Sequence, residues 1–219
     1  MEENTFPPQL RKQIYDLVVP VIWLFIYLLC AIALPRYTLY TQLIFFLGLL
    51  FWFRKQFSIR RFLDNFRSGR YWSAVFLTSM SLWSCYRLTD GMTSGVFLGV
   101  PDGMIGVVTY TTAEVLLFSV STMFLMPIAE ELFFRKAFAC LTQGRQWLIL
   151  SALAGTFFYA LSHALGAVGL IEYAIIGLPL MISYILTRNI YVSMLAHMIV
   201  LIIENVPNIV YVFARMMLR

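Results

Sequence analysis

Charged residues are scarce in this sequence, and their scarcity limits the possible fold classes. Only 12% of the 219 residues are Asp, Glu, Lys or Arg, whereas 61% are hydrophobic and 16% are aromatic. A soluble domain carries about twice that share of charge, so a soluble fold is excluded. The long apolar runs instead predict an all-α, polytopic transmembrane helix bundle, because about 20 apolar residues cross a bilayer as a helix.

Cysteine and several protease signatures are also rare or missing. Cys30, Cys85 and Cys140 lie far apart, so neither a disulfide framework nor a metal-binding spacing is indicated. No signal peptide with a cleavage site precedes the first apolar run, which we expect to be a retained anchor. Asp90 and Asp102 lie in a turn-rich segment without a GxGD motif, which excludes an aspartyl intramembrane protease.

The apolar runs predict seven membrane spans. They lie at about 14–34, 37–53, 71–88, 107–128, 147–169, 170–187 and 190–213. Residues 1–13 are predicted to be a cytoplasmic tail and residues 14–219 a single transmembrane bundle. With a cytoplasmic N-terminus, seven spans would place Arg215 and Arg219 on the non-cytoplasmic side of the membrane, against the positive-inside rule. A break at the proline within 205–208 or a missed span would remove this conflict, so we expect seven or eight helices.

The net charge of +5 is concentrated between the second and third predicted spans, in residues 54–70. The positive-inside rule places this loop and the N-terminus in the cytoplasm, which predicts a multi-pass protein of the cell membrane. Apolar residues recur at helical spacing between the arginines, which favours an amphipathic helix on anionic lipid headgroups, with a simple basic linker as the alternative. Nucleic acid is not an expected partner.

One segment, residues 126–138, places charges next to an apolar run. On a helix, Glu131 and Arg135 lie at i and i+4 in the order that favours an ion pair. Glu130 is rotated by about 100° from Glu131, so it needs a partner from another segment, most economically a histidine. The charges, including Lys136, could also be a membrane-boundary cluster without chemistry. Ionisable groups inside a span are nevertheless candidates for a functional site.

Both histidines of the chain, His163 and His197, lie within apolar runs. An imidazole buried there without a partner would be an unsatisfied polar group. A single histidine on a span is more often a packed, hydrogen-bonded residue, but two histidines and a glutamate pair favour a site. We therefore expect three helices to converge, one with Glu130, Glu131 and Arg135 and two with one histidine each.

This pattern resembles the CAAX-protease and bacteriocin-processing family of intramembrane proteases, which includes the Rce1-type prenyl-protein endoprotease. Residues 130–135, EELFFR, match its EExxxR motif, and residues 159–163, YALSH, are similar to its FxxxH motif with tyrosine in place of phenylalanine. His197 resembles the histidine of the HxxxN motif, whereas Leu201 stands where the asparagine is expected. The resemblance covers about residues 107–205, the predicted catalytic core.

The resemblance implies a glutamate-dependent endopeptidase that cuts a hydrophobic or membrane-associated peptide. Glu130 would activate water together with His163, because a carboxylate in an apolar cavity is a stronger base than one in water. His197 would stabilise the oxyanion. Glu131, counted with the catalytic residues, would orient the site as a pair with Arg135.

Two further residues, Tyr159 and Asn205, are predicted to support the site. Asn205 could replace the missing asparagine donor only if its helix is shifted, because it lies eight residues beyond His197. No cofactor is expected. An older view of the family as metalloproteases keeps zinc possible, but the sequence has no HExxH pair of ligands on one helix.

Two other functions compete with the protease. A non-catalytic membrane immunity or regulatory protein on the same scaffold, binding a peptide or a partner membrane protein, is favoured by Leu201. A transporter with Glu114, Glu172 and Glu204 as a proton relay lacks a recognisable internal repeat. The substrate, its prenylation and the oligomeric state do not follow from the sequence.

Overall fold

The chain folds into a bundle of helices. The computed structural model describes residues 8–96, 102–139, 141 and 144–217. Within these ranges there are eight helices, two three-residue 3-10 turns and no β-strand, which confirms the predicted all-α bundle. The helices are α1 (Pro8–Ala33), α2 (Thr38–Phe53), α3 (Ile59–Asn65), α4 (Gly69–Val96), α5 (Thr112–Ala137), α6 (Arg145–His163), α7 (Ala167–Thr187) and α8 (Ile190–Met217).

The predicted N-terminal tail is partly helical. α1 begins at Pro8, so residues 8–13 belong to the first helix, and residues 1–7 lie outside the described part of the chain. Proline is tolerated in the first turn because the N–H groups there have no partner within the helix.

Four helices are long and apolar enough to cross a membrane. They contain the stretches Gln13–Ala33, Thr112–Ala137, Ala167–Thr187 and Ile190–Arg215. The other predicted spans correspond to α2, α4 and α6. Within the described residues, these three helices are not both long enough and apolar enough to cross a membrane. α2, for example, has 16 residues and is about 24 Å long, less than the roughly 30 Å of a bilayer core. The architecture is that of a membrane protein with several spans.

α8 decides against one of the two alternatives left open by the sequence. It continues from Ile190 to Met217 through Pro207, so the last apolar run does not break at 205–208. Membrane helices tolerate an internal proline where neighbouring groups satisfy the freed carbonyl. The turn before α8 lies beside the basic segment, because the side-chain amide of Asn189 donates to Asn65 at 2.8 Å. Arg215 therefore lies towards the opposite end of the bundle, and the conflict with the charge rule persists.

The basic segment 54–70 contains a short helix, α3. Phe62 packs on Tyr191 of α8, with ring centroids 5.8 Å apart. Ile59 and Leu63 are exposed on the other side of α3, where a lipid surface could cover them. A seven-residue helix is therefore present in this segment, and its binding to a lipid surface stays a prediction.

α5 departs from regular α-helical geometry around the charged motif. Its segments Ser121–Leu125 and Glu131–Ala137 are π-helical, on either side of the α-helical stretch Met126–Glu130. Pro127 lies near the start of that stretch and has no N–H to donate. Widened π-turns inside α-helices occur frequently at functional sites. The backbone is thus irregular where Glu130 and Glu131 are found.

The C-terminal end of α6 is held by part of the turn-rich segment that contains Asp102. α4 extends to Val96, and the later residues 102–105 pack against the α6–α7 turn. The Ile105 N–H donates to the His163 carbonyl at 2.8 Å, and the Leu165 N–H donates to the Gly103 carbonyl at 2.9 Å. Gly103 has a φ of 65°, and a Cβ there would clash with the backbone of Gly166. These contacts fix the backbone of His163.

Candidate active site

Glu130 and His163 meet inside the bundle. Glu130 is fully buried on α5, and its Oε1 lies 3.3 Å from Nε2 of His163 at the end of α6. Oε2 of the same carboxylate lies 3.9 Å from Nδ1 of His197 on α8. The Glu130 carboxylate therefore lies next to a histidine from each of two other helices, the residue type that the sequence predicts at this place.

The second ring nitrogen of His163 contacts the last turn of its own helix. Nδ1 lies 3.0 Å from the Tyr159 carbonyl oxygen and 3.0 Å from the Ser162 hydroxyl. That hydroxyl already donates its hydrogen to the Tyr159 carbonyl at 2.7 Å, so neither neighbour supplies a proton to Nδ1. Nδ1 must carry the imidazole hydrogen. In the neutral ring, Nε2 then faces Glu130 as a proton acceptor.

Glu131 connects α5 to α8. Its Oε1 lies 3.5 Å from Nη1 of Arg135 and 3.2 Å from Nδ1 of His197. The three side chains are at most 1% exposed. A carboxylate only accepts hydrogen bonds, so Nδ1 of His197 donates to Glu131. The ion pair and this hydrogen bond fix the orientation of the His197 ring.

Tyr159 fills the space between Arg135 and the histidines. The guanidinium carbon lies 4.0 Å from the centre of the Tyr159 ring, in cation–π geometry. The Tyr159 ring centroid is 4.6 Å from that of His163 and 6.3 Å from that of His197. Gly177 of α7 gives this group room, because a Cβ there would lie 2.8 Å from Cδ1 of Tyr159.

The site contains a concentration of buried polar atoms that have no hydrogen-bond partner. They are both carboxylate oxygens of Glu130, Oε2 of Glu131, Nη1 of Arg135, the Tyr159 hydroxyl and Nε2 of His197. Buried polar atoms in proteins are almost always satisfied, so each exception calls for an explanation. Several exceptions around one carboxylate indicate a place where water or a ligand binds. We call Glu130, Glu131, Arg135, Tyr159, His163 and His197 the central cluster.

The central cluster consists of an EExxxR helix and one histidine from each of two further helices. Residues 111–203, which contain all six of its members, match the family model described as type II CAAX prenyl endopeptidase Rce1-like. This part of the chain, the Rce1-like region, is similar to that family.

The match confirms the resemblance that the motifs predict. At the level of the family, the Rce1-like region supports the function of a CAAX-type membrane protease, and the four apolar helices agree with a membrane protein. Comparisons with curated proteins and with solved structures find no match.

Asn205 does not join the central cluster. Its side-chain amide donates to the Leu201 carbonyl at 2.8 Å, within α8. Eight residues of a continuous helix separate it from His197, a rise of about 12 Å, so the helix shift that Asn205 would require is not present. Leu201 itself is buried and has no polar side-chain atom. The Rce1-like region therefore has no amide donor at the position of the family motif.

The other acids of the apolar runs do not form a relay. Glu114 caps α5 and accepts from the Tyr40 hydroxyl at 2.9 Å. Glu204 pairs with Arg87 at 2.8 Å on a partly exposed surface. Glu172 is buried near the start of α7. These positions give the transporter hypothesis no structural support.

The described residues do not form a metal site. No group of three or more His, Cys, Asp or Glu side chains in this part of the chain is arranged to hold a metal ion. The expectation that the protein works without a cofactor stays a prediction.

Two neighbours of His163 do not follow from the sequence. Tyr173 of α7 stacks on the imidazole, with centroids 4.3 Å apart and planes inclined by 23°. The segment 102–105 holds the His163 carbonyl. Tyr173 lies in an apolar run without a motif, and the segment pairs over a long distance in sequence, so neither left a local signal.

Proposed function

We propose that this protein is an intramembrane endopeptidase that hydrolyses a peptide bond of a hydrophobic or membrane-associated peptide with water activated by Glu130 and His163. The observation that supports it most directly is the buried contact between Glu130 and His163, with 3.3 Å between Oε1 and Nε2. Neither carboxylate oxygen has a hydrogen-bond partner, so the base can bind a water molecule. The family match gives the protease class, and the geometry motivates the roles.

In the proposed reaction, Glu130 takes a proton from water, and the water oxygen attacks the carbonyl carbon of the scissile peptide bond. The π electrons of that bond move to the carbonyl oxygen. When the tetrahedral intermediate collapses, the C–N bond breaks and the leaving nitrogen receives a proton through Glu130 or Nε2 of His163. The products are one peptide with a new carboxylate and one with a new amine.

The remaining charged residues act on the orientation and charge of the site. Glu131 and Arg135 hold His197 towards Glu130. In its imidazolium form His197 stabilises the negative charge on the carbonyl oxygen. We propose this chemistry without a metal ion, since no group of three or more His, Cys, Asp or Glu side chains in the described residues is arranged to hold one.

The test is cleavage of a quenched fluorescent library of apolar peptides by the purified protein in detergent. Wild type is compared with Glu130→Gln and His163→Ala, each with and without a chelator. Glu204→Gln, which changes an acid outside the central cluster, is the matched control. We expect cleavage by wild type and Glu204→Gln with or without chelator, and none by the two site variants. Full cleavage by Glu130→Gln and His163→Ala would contradict the proposal.

Leu201 favours a second candidate, a non-catalytic immunity or regulatory protein that binds a peptide or a membrane protein. The apolar side chain replaces a donor at the motif position, which weakens transition-state stabilisation but leaves binding possible. If the folded wild type cleaves no library peptide but binds peptides with an affinity that Glu130→Gln changes, this candidate replaces the protease.

The remaining sequence-based expectations are part of the same proposal. We propose a multi-pass location in the cell membrane, with the N-terminus and the basic segment 54–70 in the cytoplasm. The expected partners are the bilayer and the peptide or membrane-protein substrate, not nucleic acid.

A further inference from the structure

Tyr159 carries a hydroxyl group with an unusual environment. The residue is fully buried, and among the tyrosines that the structure describes it alone has a hydroxyl oxygen that is both buried and without a hydrogen-bond partner. Burying a hydroxyl in this way lowers stability, since the group gives up its hydrogen bond to water. A phenylalanine would fill the same space without this cost. The hydroxyl therefore calls for a role beyond packing.

The surroundings of Tyr159 are those of the central cluster. Arg135 covers one face of its ring at 4.0 Å, and the His163 ring centroid is 4.6 Å away. The Tyr159 ring thus contacts both Arg135 and His163, and Nε2 of His163 lies 3.3 Å from Oε1 of Glu130. The buried hydroxyl belongs to a ring that is part of the central cluster.

The cluster has few hydrogen-bond donors for a developing oxyanion. In the neutral His197 ring, the Nδ1 hydrogen is used by Glu131, and Nε2 has no hydrogen to donate. Nη1 of Arg135 is directed at Glu131, 3.5 Å away. Leu201, one turn after His197, has no donor. Besides His197 in its imidazolium form, the unpartnered donors among the described residues of the cluster are Nη1 of Arg135, which faces Glu131, and the Tyr159 hydroxyl.

We infer that Tyr159 is a catalytic residue whose hydroxyl donates a hydrogen bond to the carbonyl oxygen of the scissile peptide bond. This inference rests on the proposed endopeptidase function. As water adds to the carbonyl carbon, the π electron pair moves to the oxygen, and the Tyr159 O–H stabilises that charge without transferring its proton. The hydroxyl takes the place of the amide that Leu201 lacks.

The test is the Tyr159→Phe variant, which removes one oxygen atom and keeps the ring. An oxyanion donor contributes about 100-fold to 1,000-fold to kcat, so we expect a loss of that size with KM nearly unchanged. Because the removed hydroxyl is unpartnered in the folded protein, the melting temperature should stay the same or rise. Tyr184→Phe, at a buried tyrosine of α7 outside the central cluster, is the matched control and should keep wild-type kcat.

A binding measurement separates a catalytic from a structural role. Fluorescence anisotropy of a cleavable library peptide is measured with Glu130→Gln and with the double variant Glu130→Gln/Tyr159→Phe. Equal affinities together with the kcat loss support the inference. Unchanged kcat in Tyr159→Phe overturns the inference and leaves the proposed function intact. A kcat loss that comes with an equal loss of affinity, or with a lower melting temperature, has the same consequence. No cleavage by the wild type overturns the proposed function and this inference together.

Discussion

Nε2 of His163 lies 3.3 Å from Oε1 of Glu130, although the two residues belong to different helices, α6 and α5. The contact is buried, and the backbone of His163 is held by the N–H of Ile105. The two groups that the proposed mechanism uses as base and proton carrier are thus kept together by packing from three parts of the chain. The first prediction concerns this pair.

Glu130→Gln should abolish cleavage without lowering stability. The substitution removes the base, and general base catalysis contributes about 100-fold to 10,000-fold in rate. It also removes a buried carboxylate whose oxygens have no hydrogen-bond partner, so the folded state should lose nothing. Peptide cleavage and thermal unfolding in detergent measure the two effects. A variant that unfolds at a clearly lower temperature would show that Glu130 has a structural role.

Glu131→Gln should act mainly through stability. The variant leaves the buried Arg135 guanidinium without its counter-charge and weakens the bond to His197, which should lower the free energy of unfolding by about 3 kcal/mol. The double variant Glu131→Gln/Arg135→Met should recover part of that loss, because no unpaired charge remains. Unfolding curves of the single and double variants measure the coupling. Additive losses would contradict an ion pair.

Gln13→Ala should loosen the end of α5. The Gln13 side-chain amide donates to the carbonyls of Ala137 at 2.6 Å and Phe138 at 3.0 Å, the last turn of the helix that carries Glu130. Losing these bonds should cost about 1 kcal/mol and increase amide hydrogen exchange at that end. Gln146→Ala, at an exposed glutamine of α6, should change neither. Equal effects of the two variants would show that the contact does not stabilise α5.

Gly177→Ala should destabilise the protein and slow cleavage. The new Cβ would lie 2.8 Å from Cδ1 of Tyr159 and 3.5 Å from Nη2 of Arg135, so the central cluster must shift, at a cost of about 1–3 kcal/mol. Gly91→Ala in α4 is the control, because nothing lies within 4 Å of its Cβ position. A helical glycine replaced by alanine in open space should stabilise by about 0.5–1 kcal/mol. Thermal unfolding of both variants should therefore shift in opposite directions, and a parallel shift would contradict this account.

Contacts between neighbours on one helix could be predicted. Glu131 and Arg135 form their ion pair because i and i+4 positions share a helix face whatever the helix packs against, and this holds in the π-helical segment. The proximity of Glu130 to a histidine also followed from the sequence, because burying a carboxylate without a charged or hydrogen-bonding partner costs free energy. Asn205 does not reach the central cluster, and the reason is also local. A continuous helix keeps it about 12 Å along the axis from His197.

The sequence by itself determined the all-α membrane class, the Rce1-like motifs and the residues able to carry the chemistry, because hydrophobicity, helical period and side-chain type are local properties. Only the tertiary structure decided which atoms meet. The placement of Nε2 of His163 at Glu130, the stacking of Tyr173 on His163 and the unpartnered Tyr159 hydroxyl depend on how α5, α6, α7 and α8 pack. Packing fixes distances between segments that are remote in the chain, and no local pattern encodes those distances.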